Sequence, residues 1–369
     1  MPAKGATVSR LDLDAALAGL RRLDGFAGTA RDALEPMAVK GLFHDHVRVA
    51  GTPWLLRLPR ASQFELGPAD NLDYQEACFA HAAPSGATPA LRGRIEPRPG
   101  LPWGGLVVAA VDGGPARLPD DLAAMAVCLA GIHALPLPPD EARLPLAVHA
   151  DPIAGILGFI EPQALYFDRA GMAPSARAQI AEELAWARGF AARRAGAPQP
   201  LTLCATDTHP GNFLIERGDG GTRAVFVDLE KALYGSPAID VAHSTLYTST
   251  MWDADCAAAL SRDDVRGFYA AWLGAIPPGL AGALRPWLMP MRRLTWLRTM
   301  TWFAKWRVEA EARNRGAEGG AESVWWRAAA AAPGLVADIA QRIDGFFRPD
   351  TVARVREEWL GSGAIDFAA

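Results

Sequence analysis

The sequence predicts an α+β protein in two lobes: an N-terminal lobe built on an antiparallel sheet with one main helix, and a larger, mostly helical C-terminal lobe. Three observations predict this. Period-two hydrophobic alternation is concentrated in the first third, as in Trp54, Leu56 and Leu58 against Leu55, Arg57 and Pro59. Helical spacing dominates afterwards, as in Leu122, Met125, Leu129 and Ile132. The run Asp112-Gly-Gly-Pro separates the two patterns and makes 112–118 the expected hinge. A chain of 369 residues has room for two such units at about 150 residues per domain.

Each element follows in order. Residues 1–35 read as a helical lead-in. Met37-Ala-Val and Val47-Arg-Val predict strands around a turn at Gly41, and Pro53–Arg60 a third strand. Residues 70–82 suit a helix capped by Asp70 or Asn71. Thr88–Glu96 and Leu106–Val111 resume strand character. Beyond the hinge, Ile180, Leu184, Ala187 and Ala191 share a helix face with Ser175 as cap. Ser261 and Asp264 predict a capping box before Val265, Phe268 and Trp272. Residues 287–312, 322–347 and 350–360 read as helices, and 314–321 as a flexible loop.

Composition narrows the class. Half the residues are hydrophobic and 21% are charged, which excludes a disordered or collagen-like chain. The net charge of −4 offers no general attraction to nucleic acid or an anionic membrane. The four cysteines lack metal-ligand spacing, so reduced structural thiols are expected. The first residues carry no apolar signal core, and no apolar run reaches the ~18 residues of a membrane span. The expectation is a cytoplasmic protein with no obligate protein partner. No G-x-S-x-G elbow supports a hydrolase.

The chemistry is concentrated between residues 203 and 230. Phe213–Ile215 and Ala224–Val227 are short apolar strands, and Arg217-Gly-Asp-Gly-Gly between them reads as a hairpin turn. Asn212 begins the first strand and Asp228 ends the second, so the hairpin brings an amide oxygen and a carboxylate together. Two hard oxygens suit Mg²⁺ completed by phosphate and water. Asp207, five residues before Asn212 in a loop shaped by Pro210-Gly211, can face the same cavity and accept a hydroxyl proton. In the first third, Leu72, Glu76 and Phe79 share a helix face. A carboxylate in that stripe needs a partner, and Arg57 on the neighbouring strand supplies one. His44 and His46 read as turn residues, His133 as a cap or packed side chain, and His209 as a brace for the loop.

This segment resembles the aminoglycoside phosphotransferase family of the protein-kinase-like superfamily, whose pattern is H-G-D-x-H-P-G-N, then a hairpin and I-D-x-E. The chain has Ala205-Thr-Asp207-Thr-His209-Pro210-Gly211-Asn212 and Val227-Asp228-Leu-Glu230, and later Tyr234-Gly-Ser-Pro-Ala-Ile-Asp240. The resemblance covers about residues 36–310. It implies a bilobed kinase-like fold, with residues 1–113 as the nucleotide-binding lobe and 114–369 as the lobe carrying the catalytic loop and acceptor site. It implies ATP and Mg²⁺ as cofactors, Asp207 as catalytic base, Asn212 and Asp228 as metal ligands, and Asp240 as a structural acid bracing the loop. Glu230 either assists a second metal or faces solvent. Arg57 and Glu76 would serve the nucleotide phosphates, and the backbone of Ala110 and Val111, within the Ala109–Gly113 linker, would bind adenine.

Two departures stand out: Ala205 replaces the family His, and Lys40-Gly41-Leu-Phe-His44 carries one Gly rather than a G-x-G-x-x-G run. The leading expectation is transfer of the ATP γ-phosphate to a small-molecule hydroxyl. The alternative is a pseudokinase-like nucleotide-binding module acting through a partner, which Ala205 favours. Protein phosphorylation ranks last, without a D-F-G to A-P-E segment. Eight of the twelve Trp follow residue 270, and Trp302 and Trp306 share a face. That stripe is either core or an aromatic wall for a quaternary ammonium, as in choline kinase. Eight Arg or Lys against two Glu in 285–315 argue against a polycationic acceptor and suit a neutral polyol, sugar or anionic metabolite.

Overall fold

The computed structural model describes residues 11–38, 40–194, 196–314 and 333–367. The expected lead-in before residue 11, the loop at 315–321 and the start of the helix at 322–332 lie outside the described residues. By contact the chain separates into two units, one comprising 1–112 with 319–338, the other 113–318 with 339–369.

The first unit is a five-stranded antiparallel sheet of order β1-β2-β3-β5-β4. Its strands are β1 (Leu34–Pro36), β2 (His44–Val49), β3 (Trp54–Pro59), β4 (Leu91–Ile95) and β5 (Gly105–Ala109). The first strand ends at Pro36, one residue before the expected Met37, with one further bond from the Met37 N–H to the His46 carbonyl at 2.9 Å. The period-two reading of β3 holds. Leu56 and Leu58 join Val47, Val49, Val107 and Ile95 in a core closed by α1 (Leu13–Leu20), with Trp54 packed against it. Arg57 therefore belongs to the opposite face. Helix α2 (Pro68–Ala82) packs against β4 and β5. It starts two residues before the expected cap, with Pro68 in its first turn and no side-chain cap, because proline is pre-set for the first helical position.

The second unit is mostly helical: α3 (Leu122–His133), α4 (Pro152–Ala164), α5 (Pro174–Arg194), α6 (Ala238–Thr245), α7 (Tyr247–Thr250), α8 (Arg262–Ala275), α9 (Pro278–Asn314), α10 (Pro333–Phe346) and α11 (Pro349–Arg356). Helix α4 had no counterpart in the sequence reading. The capping box at Ser261 and Asp264 forms with both of its hydrogen bonds. Two small sheets carry the site: β7 (Thr202–Cys204) with β10 (Leu233–Gly235), and β6 (Gly114–Pro115) with the hairpin β8 (Phe213–Gly218) and β9 (Gly221–Phe226). No described helix is long and apolar enough to cross a membrane.

Candidate active site

The hairpin is longer and tighter than the sequence suggested. Phe213 pairs with Phe226 and Gly218 with Gly221, so the turn is only Asp219-Gly220. That register is fixed by the two-residue loop, and it places Asn212 beside the far end of β9, where Val227 donates its N–H to the Asn212 carbonyl at 3.0 Å. The Asn212 side-chain amide donates to the Asp207 carbonyl at 2.7 Å. Its nitrogen is thereby engaged, and its oxygen is left as the atom that could meet a cation. An amide oxygen with the Asp228 carboxylate fits a hard cation that takes few protein ligands and completes its shell with phosphate and water. Among the described residues no three His, Cys, Asp or Glu form a metal-binding group, which excludes a closed, zinc-type centre there. Gly211 is required in this turn, since a Cβ would collide with the Asp253 side chain.

The loop before the hairpin leaves β7 at Ala205 and turns at Thr206, whose φ is +65°. Asp240, at 0% exposure, accepts the Ala205 N–H at 2.6 Å and the Thr206 N–H at 2.8 Å. His133 Nε2 reaches the same carboxylate at 3.1 Å, and Trp272 Nε1 donates to His133 Nδ1 at 3.0 Å. Indole is a donor only, so His133 must donate through Nε2. Three donors thus hold a buried carboxylate, and the loop after β7 is pinned to α6. His133 is a packed side chain, with a bracing hydrogen bond the sequence did not disclose.

Asp207 is held differently. Lys231 Nζ bonds Asp207 Oδ2, and His243 Nδ1 lies 4.0 Å from Oδ1. Burial alone would push the Asp207 carboxyl up, but the Lys231 charge, the neighbouring His209 and His243 and the Lys231 hydrogen bond together outweigh it and hold the group below the ordinary carboxylate range. Burial also lowers His209 and takes His243 down to about 3, so both imidazoles are neutral near pH 7. Their Nδ1 atoms are buried and unpaired. Glu230 is 6% exposed, which removes the reading in which it faces solvent.

On the first unit, the predicted partnership of Arg57 with Glu76 is replaced by another. Glu76 bonds Arg94 at 2.7 Å, together with Asp73. Arg57 NH2 approaches His44 Nδ1 at 3.4 Å, and His44 Nε2 meets Gln75 Oε1 at 3.1 Å. The apolar stripe of α2 runs through Leu72, Gln75 and Phe79, each no more than 2% exposed. A +3 step rather than +4 puts the amide, not the carboxylate, against the sheet. Burial and then the Arg57 charge hold His44 well below its usual pKa, so it accepts from Arg57 as a neutral ring. At the end of β5, Ala110 spends its N–H on the Pro53 carbonyl at 2.8 Å.

A model of the phosphotransferase enzyme family matches residues 41–275, well over half the chain. The chain belongs to that family. No curated protein matches the sequence. Among solved structures, a choline/ethanolamine kinase family protein from Mesorhizobium loti is 19% identical with TM-score 0.54, covering 93% of this chain and 98% of its own. Plasmodium vivax ethanolamine kinase is 13% identical with TM-score 0.52, covering 85% and 84%. Spectinomycin phosphotransferase in complex with ADP and spectinomycin is 10% identical with TM-score 0.54, covering 87% and 91%. These likenesses show a shared fold.

Within the phosphotransferase family pattern, Thr206 occupies the Gly position of H-G-D, a third departure that the sequence already contained. A β-branched residue at positive φ is strained, by about 1–2 kcal/mol. The side chain offsets that by one bond, Thr206 Oγ1 donating to the Lys231 carbonyl at 2.9 Å, while the backbone N–H is held by Asp240 and the carbonyl accepts from Arg298 at 3.4 Å. In the aromatic stretch, Trp306 is buried at 4% and fits the core reading. Trp302 is partly buried and meets Trp252 edge-on at 5.8 Å. Arg342 already lies over the Trp252 ring at 5.8 Å.

Proposed function

We propose that this phosphotransferase moves the γ-phosphate of ATP to a hydroxyl of a small molecule, with Mg²⁺ as cofactor. The observation that carries the reading is the chain of bonds at the hairpin mouth: Val227 on the Asn212 carbonyl, and the Asn212 amide on the Asp207 carbonyl. One backbone unit thereby spaces the candidate base from the two candidate metal ligands, Asn212 and Asp228. The ADP held by the spectinomycin enzyme supports an adenine nucleotide here.

Asp207, ionised and fixed through Oδ2, leaves Oδ1 to accept a hydrogen bond from the acceptor hydroxyl. A carboxylate with a depressed pKa is a weak base. Its role is to orient the nucleophile and collect the proton late, which suits the loose transition state of phosphoryl transfer. Mg²⁺, when bound, would neutralise the developing charge on the phosphate oxygens. Within the first unit, the Arg57 guanidinium, preset by neutral His44, is the candidate phosphate contact, and the Ala110 carbonyl and Val111 N–H are the candidate adenine contacts. Among the described residues no internal hydrogen bond takes either backbone group. Glu76 would act through Arg94 rather than Arg57.

The test is ADP release from Mg-ATP across choline, ethanolamine, sugars, amino alcohols, homoserine and aminoglycosides. Acceptor-dependent release that vanishes with EDTA and in Asp207→Ala, while nucleotide binding survives in the variant, is the expected result. Turnover retained in Asp207→Ala would overturn the assignment. Nucleotide binding without turnover on any acceptor would instead favour the binding-module reading that Ala205 invites.

A further inference from the structure

The interior arginines of α9 are saturated, with one exception. Arg292 bonds Glu358 at 2.6 Å and Thr245 Oγ1 at 2.7 Å. Arg293 bonds Glu183 at 2.9 Å. Arg307 pairs with Asp344 and donates to the Ala170 carbonyl at 3.1 Å. Arg298 makes a single 3.4 Å bond, to the Thr206 carbonyl, and among the described residues no carboxylate lies within ion-pair distance of it. Burial lowers its pKa, and the negative charges it senses are those of Asp207 and Asp240. Those two carboxylates are already engaged, by Lys231 and by three donors respectively. Its guanidinium carbon lies 5.2 Å from the Phe159 ring, which also meets the His149 ring at 6.1 Å. A partly buried guanidinium is costly without a counter-charge, and this one stands over the residue immediately before Asp207. His209 and His243, neutral and with unpaired Nδ1 atoms, flank the same carboxylate.

We propose that Arg298 is the anion-binding group of the acceptor site, so that the acceptor is a hydroxyl compound carrying a carboxylate or phosphate group. This rests on the phosphotransferase reading and narrows its substrate class. The planar fork of Arg298 engages the anion in a two-pronged contact. The acceptor hydroxyl then lies at Asp207 Oδ1, with Lys231 keeping the two negative charges apart. Arg298 acts on affinity and orientation rather than on the reacting atoms.

The experiment uses one scaffold in three charge states, glycerol, glycerate and glycerol 3-phosphate, with ethanolamine as the cationic control. Binding to the full-length protein loaded with Mg-ADP is measured by calorimetry, and ADP release from Mg-ATP is measured in parallel, for wild type, Arg298→Gln and Arg298→Lys. The expected result is that one anion binds at least about tenfold tighter than glycerol. Arg298→Gln abolishes that gain, Arg298→Lys keeps part of it, and Mg-ADP binding is unchanged. Glycerate gaining identifies a carboxylate, and glycerol 3-phosphate gaining identifies a phosphate. In turnover the Arg298→Gln effect appears as a raised KM for the anion, with kcat little changed. The proposal is overturned if neither anion exceeds glycerol, if ethanolamine binds best, or if Arg298→Gln lowers kcat on charged and uncharged acceptors alike, which is the signature of a loop brace. Anion binding that depends on Arg298 but yields no ADP release from any compound sustains the anion site and counts against phosphoryl transfer.

Discussion

Asp207 and Asp240 are carboxylates of the same loop assembly, and they are built for opposite purposes. Asp240 is closed to solvent and receives two backbone N–H groups and an imidazole, so both of its oxygens are spent on holding the chain. Asp207 keeps 24% of its side chain exposed and has one oxygen tied to Lys231, the other facing an unpaired imidazole. One carboxylate stores stability, the other keeps a vacancy for chemistry. The difference lies in how many donors surround the group, since the side chains are identical.

Four measurements can break or sharpen that contrast. Asp207→Asn should lower turnover by about 10²–10⁴-fold and cost about 1–2 kcal/mol in unfolding, because Lys231 loses its counter-charge and keeps only an amide oxygen; a stability cost as large as that of Asp240→Asn would make Asp207 a structural acid like Asp240. Asp240→Asn should cost about 3 kcal/mol in denaturant unfolding, since a neutral amide turns a donor toward groups that are themselves donors; a cost below about 1 kcal/mol would erase the distinction. Thr206→Gly relieves the positive-φ strain and loses one hydroxyl bond, so its stability should stay within about 1 kcal/mol of wild type. Thr206→Val keeps the strain and loses the bond, and should be less stable than the Gly variant by about 1–2 kcal/mol.

A further effect is in pH. His243 has a folded pKa of about 3, against an unfolded value near 6.5. The unfolded chain therefore takes up a proton first, and stability falls as pH drops below about 6.5, by about 1.4 kcal/mol per pH unit from this residue. His243→Gln should flatten the acid limb of a stability–pH curve between pH 6 and 4 by about that slope. An unchanged limb would show that His243 becomes charged beside Asp207 after all.

The architecture and the meeting of Asn212 with the end of β9 were legible because hairpin geometry is local: strand alternation and turn residues decide which ends meet. The Arg57–Glu76 pairing was misread because a helix face can be followed by +3 or +4 steps, and only packing against the sheet selected Gln75. Lys231, His133 and Arg298 were not legible in their roles. Each meets the loop through a contact between elements distant in sequence, and a positive φ leaves no mark on a threonine. The Gly-to-Thr change at 206 was the visible signal, and its meaning needed the backbone.

That threonine has a consequence for how the loop can change over time. With glycine at 206 the turn would need no side-chain contact. With threonine, the hydroxyl donates to the Lys231 carbonyl and ties the turn after β7 to the segment after β9. A carbonyl is supplied by any residue at 231, so the tie survives replacement of the lysine side chain and is lost only when 206 loses its hydroxyl. The lysine side chain can therefore change without loosening the turn.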